Sequence, residues 1–128
     1  MRDVETREDI VHLLERFYAK AMKDDVIGYF FTEVVPLHLD THIPKIADFW
    51  EAIVFNTQAY SKNVMEVHQH ISDKSAIHKE HLDHWVALFT ETVEEEFEGA
   101  RATLMKQRAA SIATLMNIKL NHQPFSPG

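Results

Sequence analysis

The chain has 128 residues, 45% hydrophobic and 26% charged, with a formal net charge of −7 and no cysteine. That length fits one domain with enough apolar residues for a core. Gross disorder is excluded, and so are a disulfide scaffold, a Cys-ligated zinc finger, an iron–sulfur site and a thiol nucleophile. The negative charge argues against nucleic acid as the main partner, and glycines at 28, 99 and 128 stand too far apart for a phosphate-binding or dinucleotide loop.

Hydrophobic periodicity is helical nearly everywhere. From Thr6, the residues Ile10, Leu13, Leu14, Phe17 and Ala21 follow the i, i+3, i+4 pattern of one helix face, flanked by Tyr18 and Met22. Thr6 and Asp9 have the spacing of a capping box. Asp24-Asp25 is expected to begin a short helical piece that carries Tyr29, Phe30 and Phe31 into a corner. Residues 32–40 read as a connection, because Pro36 turns Val35 away from helix. The next helix holds Ile46, Phe49, Trp50, Ile53 and Val54 on one face. Pro44 is tolerated in a first turn, which predicts a start near Asp40 or Thr41 and puts His42 on the apolar face.

A polar loop is expected over 56–63, then a short helix with Val64, Val67, His68 and Ile71 on one face, then a break over 72–75. A long helix is predicted from His78 to Glu98, with Leu82, Trp85, Val86, Phe89, Val93 and Phe97 inward. A last helix is predicted from Arg101 to Leu120, with Met105, Ala109, Ile112, Ala113, Met116 and Leu120 inward. The reading is one all-α domain over 1–121 with a frayed tail over 122–128. No strand pattern and no repeat is seen. Glu91, Glu94, Glu95, Glu96 and Glu98 end one helix, while Arg101, Lys106, Arg108 and Lys119 lie on the next, which has no acid. Complementary solvated faces on antiparallel neighbours explain this.

Nine histidines invite a metal reading. His12, His84 and His122 are expected at the surface. His38/His42 and His78/His81 have helical spacing for zinc or nickel, but no H-E-x-x-H motif is present. His42 and His68 differ, because each falls on the apolar face of its own helix. A buried imidazole needs a partner, since an unpaired buried polar group costs about 1–3 kcal/mol. Singly, each reads as a core histidine bonded to a carbonyl. Together they describe two walls of a slot for a flat apolar cofactor with a central metal.

Four segments carry a resemblance: ERFYAKAMKDDVIGYFF at 15–31, LHLDTHIPKIADFW at 37–50, VMEVHQHI at 64–71 and HLDHWVALFTETVEEEF at 81–97. The Phe-Tyr pair, the His seven residues before Phe-Trp, the V-H-Q segment and the W-x-x-L-F stretch occur in order, without any glycine pair. In this combination the sequence resembles the third group of the truncated haemoglobins. The resemblance implies a shortened globin fold, two antiparallel helix pairs packed as a sandwich around haem b. It makes His68 the iron ligand, with His70 the alternative two residues on. It places Tyr18, His42 and Trp85 on the distal side, with Phe17, Phe31, Ile46, Phe49 and Val64 lining the pocket. Pro44, two residues after His42, stands where it can displace the turn that carries the distal histidine.

The function so implied is binding of dioxygen, carbon monoxide or nitric oxide at a pentacoordinate or reversibly hexacoordinate iron. Nitric oxide or peroxide redox chemistry would be expected to need an external electron donor, since no segment of these 128 residues reads as a reductase domain. No apolar run approaches the roughly 18 residues of a membrane span, and the polar start MRDVETRED does not read as a signal peptide. The expectation is a cytoplasmic monomer or weak dimer. Two other classes stay open on sequence: a cofactor-free helical interaction module, and a His-only zinc or nickel protein.

Overall fold

The structure, a computed structural model, describes residues 1–30, 38–55 and 78–121, with side chains as far as 118. The predicted loop at 56–63, helix at 64–71, break at 72–75 and tail at 122–128 lie outside these residues, as do Phe31, Val64, His68, His70 and His122. Four helices are present among the described residues, and no strand: α1 (Arg7–Ala21), α2 (Leu39–Val54), α3 (Lys79–Glu96) and α4 (Ala100–Asn121).

α1 starts where the sequence says. Thr6 is extended, its hydroxyl accepts from Asp9 N, and the Asp9 carboxylate accepts from Thr6 N, which closes the capping box. Glu8 and Asp9 in the first turn and Lys20 in the last suit the helix dipole. The predicted face is fully buried: Ile10, Leu13, Leu14, Phe17 and Ala21. Each of these side chains except Ala21 contributes about 1.5–3 kcal/mol. Tyr18 is buried with them at 7% exposure, not merely flanking the stripe. After α1, Asp24 accepts from Val26 N and Ile27 N, and the chain is helical again at 28–30.

α2 begins one residue before the predicted start, so residues 39 and 40 belong to helix and not to the connection. The His38 carbonyl accepts from both Thr41 N and His42 N, and the Thr41 hydroxyl donates to it as well. Pro44 therefore falls in the second turn. It is exposed, as is Asp40 four residues before it, whose carbonyl the proline ring cannot serve. The turn carrying His42 is intact, contrary to the expectation that Pro44 displaces it.

α3 ends two residues sooner than predicted. Phe97 turns extended (φ −144°, ψ 159°) and still buries its ring, because Arg2 O accepts from Glu98 N and the Arg2 guanidinium lies over the ring at 5.6 Å. Gly99 sits at φ 140°, and a Cβ there would come within 2.5 Å of the Asp3 side chain. Asp3 occupies that place because its carboxylate accepts from Arg101 N and Ala102 N, both at 2.9 Å, and so caps α4 from the N-terminal segment.

The tight connection makes α3 and α4 an antiparallel pair, tied by Lys106 to Glu94 at 3.2 Å. α1 and α2 form a second antiparallel pair. Arg7 near the start of α1 reaches Asp48 (2.7 Å) and Glu51 (3.2 Å), while Tyr18 near its end meets His42. The pairs pack through α1 on α3 and α2 on α4 around one apolar core. The charge reading needs a correction. Glu94 does face α4, but Glu95 pairs with Lys20 and Glu96 with Arg16 and His12, all on α1.

Candidate functional site

Four of the residues singled out in the sequence meet at the end of α1. Tyr18 Oη lies 2.8 Å from His42 Nε2, and the two rings meet edge to face at 5.1 Å. Phe17 is edge-on to Tyr18 at 5.1 Å and to Trp85 at 6.3 Å. Helical geometry explains the meeting. Tyr18 stands one residue round from the central core position Phe17, so its ring stays in the core and its hydroxyl reaches α2. His42 stands four residues from Ile46 and seven from Phe49 and shares their side of α2. Ile46 and Phe49 are half-buried, and the Phe49 ring packs on Trp50 at 5.3 Å.

Phe89 is the centre of the aromatic wall, a part the sequence reading gave only to the core. It touches Phe17 at 5.4 Å and stacks with Trp85 at 5.9 Å and with Trp50 at 5.3 Å. The i, i+4 spacing of Trp85 and Phe89 was the available signal for this stack. Trp85 itself is half-buried. Among the described residues its indole N–H has no hydrogen-bond partner.

Burial alone pushes the Tyr18 phenol well above its ordinary range, so it keeps its proton at any physiological pH. Its bond to His42 can run either way. With Nε2 unprotonated, the phenol donates to it; with the proton on Nε2, the imidazole donates to the phenol oxygen. In the second arrangement the Tyr18 hydroxyl keeps its proton and turns its O–H toward another acceptor.

The remaining histidines arrange themselves differently. His12 is exposed and lies 3.3 Å from Glu96, as a surface residue should. His84 is not a plain surface residue: at 37% side-chain exposure it is 2.6 Å from Asp24. His38 is exposed at the start of α2 while His42 turns to Tyr18, so this i, i+4 pair is not gathered at one point. His78 and His81 do approach, with His78 N donating to His81 Nδ1 at 2.9 Å. Burial holds the His81 ring below the usual imidazole range; the Glu80 charge opposes this and His78 adds to it. Among the described residues no group of three or more His, Asp or Glu is placed to hold a metal ion.

No protein-family model matches the chain. It is 26% identical over 111 residues to the group 3 truncated haemoglobin ctb of Campylobacter jejuni, covering 84% of this chain and 85% of that one. The crystal structure of the group III truncated haemoglobin from Campylobacter jejuni superposes with a TM-score of 0.80, at 24% identity, over 98% of this chain and 100% of that one. The chain has the shortened globin fold, and its resemblance to the third group of truncated haemoglobins holds in sequence and in three dimensions.

Proposed function

We propose that the protein binds haem b and takes dioxygen, carbon monoxide or nitric oxide at its iron. One observation carries this: a Tyr18–His42 hydrogen bond set into a wall of aromatic rings, beside the half-buried indole of Trp85. The residues fit the group. Phe17, Phe89, Trp50 and Phe49 supply flat apolar surface, and the polar groups among them are uncharged or proton-donating, as a distal pocket needs. When bound, haem would supply an iron able to take a diatomic ligand. His68 would hold that iron, with Phe31, Val64, Ile46 and Phe49 lining the pocket.

The chain's own residues then divide the work. Tyr18 supplies an O–H donor that burial keeps protonated. His42 directs that proton, either holding it on its own Nε2 lone pair or leaving it for the ligand. Trp85 supplies an N–H that can only donate. The surrounding rings exclude water, which strengthens each of these bonds toward a partly anionic ligand. Redox turnover of nitric oxide or peroxide would draw on an external electron donor. A cytoplasmic monomer or weak dimer belongs to the same reading.

The test is an absorption spectrum of the purified protein, ferrous and with carbon monoxide. A strong Soret band that shifts with the ligand is expected, and a colourless protein that takes up no haem sinks the proposal. His68→Ala should lose haem or change its axial ligand. An unchanged haem content and spectrum would move the ligand to His70. If His42 also ligates the resting iron, His42→Leu abolishes a six-coordinate spectrum and leaves ligand binding intact.

A further inference from the structure

The turn after α1 and the first half of α3 are joined by a contact that the ligand site does not use. Asp24 accepts from three donors at once: Val26 N at 2.8 Å, Ile27 N at 3.1 Å and His84 Nε2 at 2.6 Å. Its side chain is 15% exposed. Burial alone would raise its carboxyl, but the His84 bond and the two amides outweigh that and leave it below the ordinary range.

The turn is also tied tightly to α1. Asp24 N donates to Ala21 O and Met22 N to Tyr18 O, and a Cβ on Gly28 would stand 2.9 Å from Met22 O. A second tie to α3 comes from Phe30, edge-on to His81 at 5.0 Å. The turn thus moves with the end of α1 that bears Tyr18. His84 precedes Trp85 on α3. The pair therefore joins the helix end carrying one donor to the helix start carrying the other. At the opposite end of α3, Glu95 and Glu96 make the corresponding links to α1.

We propose that His84, gripped by Asp24, is a positioning residue that sets Trp85 relative to Tyr18, and that its protonation tunes the site. This rests on the ligand-binding reading above. A protonated His84 forms an ion pair with Asp24, whereas a neutral one keeps only the hydrogen bond. Among the described residues, the charged or titratable groups nearest along the chain on the packed elements are Lys20 of α1, Lys23 and Asp25 of the turn, and Lys79, Glu80, His81 and Asp83 of α3. Lys20 is engaged by Glu95 and Asp83 by Lys79. From α4, the side chains lining the groove beside this stretch of α3 are Ala110, Ala113, Thr114 and Asn117, none titratable.

The experiment is a pH titration of the holoprotein in its carbon monoxide form, following the His84 ring and the Trp85 indole N–H by NMR. Both signals should move with one midpoint. Dioxygen release should change about two- to fivefold across the same midpoint, the size expected of a partly solvent-open ion pair. His84→Gln keeps a donor for Asp24 but cannot titrate, so it should remove the pH step and hold release at its high-pH value with the fold intact. Asp24→Asn should uncouple the two signals. The proposal is overturned if the Trp85 signal ignores the His84 midpoint, or if His84→Gln retains the pH step in release. Failure to bind haem would defeat the ligand-binding reading instead, and the NMR coupling can still be read on the colourless protein.

Discussion

The two ends of α1 hold their polar groups in opposite ways. At the first turn the groups are charged and fixed. Asp9 forms a two-pronged bond with the Arg2 guanidinium and accepts from Glu5 N and Thr6 N, and nearby Asp3 caps α4. At the last turn the groups are a phenol and an imidazole in a bond whose direction depends on where one proton sits. Breaking the first arrangement strands a buried charge or several backbone donors. Reversing the second costs one tautomer change. The first end suits stability and the second suits exchange with a ligand.

Asp9→Ala should have the largest effect on stability among these contacts. It removes an ion pair, half of the capping box and the acceptor of two amides, so a loss of about 2–4 kcal/mol is expected by denaturant unfolding. Ligand release should not follow. Acid provides a second probe of the same end. The Arg2 bond, opposed by burial and helped by the Glu5 and Thr6 amides, lowers the Asp9 carboxyl from 3.8 to about 2. In this window the unfolded chain binds the proton first. The contribution of about 2 kcal/mol is complete above roughly pH 4 and is lost as pH falls toward 2. Asp9→Asn should flatten that part of the stability curve. An unchanged acid limb would show that the clasp is not what acid breaks.

The other end should respond in kinetics. Tyr18→Phe keeps the ring and removes only the hydroxyl. A hydrogen bond to a charged acceptor is worth about 1.5–3 kcal/mol, so dioxygen release should speed up about tenfold to a hundredfold. Carbon monoxide is less polar when bound, and its release should change far less. Trp85→Phe tests the second donor in the same way. Wild-type release rates in both variants would remove the polar cage as the mechanism, even in a haem-binding protein.

The comparison also shows what was legible in the chain. Thr6 and Asp9 announced one end of α1, because a capping box is local. The buried faces of α1, α3 and α4 were legible from 3.6-residue spacing. Tyr18 and His42 are 24 residues apart, and no periodicity could pair them; the resemblance did. Asp24 and His84 are 60 apart and carried no signal, so His84 read as a surface residue. The ends of α2 and α3 shifted for tertiary or capping reasons: His38 O gathers three donors, and the N-terminal segment draws Phe97 out of helix. The partners of Glu95 and Glu96 escaped because charge patterning names a sign but not a neighbouring helix.

The smallest expected effect lies between the two ends, along the charged seam of α1 and α3. Lys20 pairs with Glu95, Arg16 with Glu96 at 2.9 Å, and His12 with Glu96 at 3.3 Å. Glu95 and Arg16 are largely open to solvent, at 42% and 53% exposure. Such pairs gain little over hydration and spend side-chain entropy, so Lys20→Met should cost about 0.2–1 kcal/mol. The seam should also be sensitive to salt, since screening acts within about 10 Å at 0.1 M and about 3 Å at 1 M. The difference between wild type and Lys20→Met should therefore shrink on going to high salt. The difference between wild type and Asp9→Ala should largely persist, because the Asp9 side chain is only 9% exposed and takes two of its bonds from backbone amides. Denaturant unfolding of the three proteins at low and high salt reads both differences. If the seam variant lost as much as Asp9→Ala at low salt, or kept its full loss at high salt, α1 would be held along its length by charge and not mainly at its capped end.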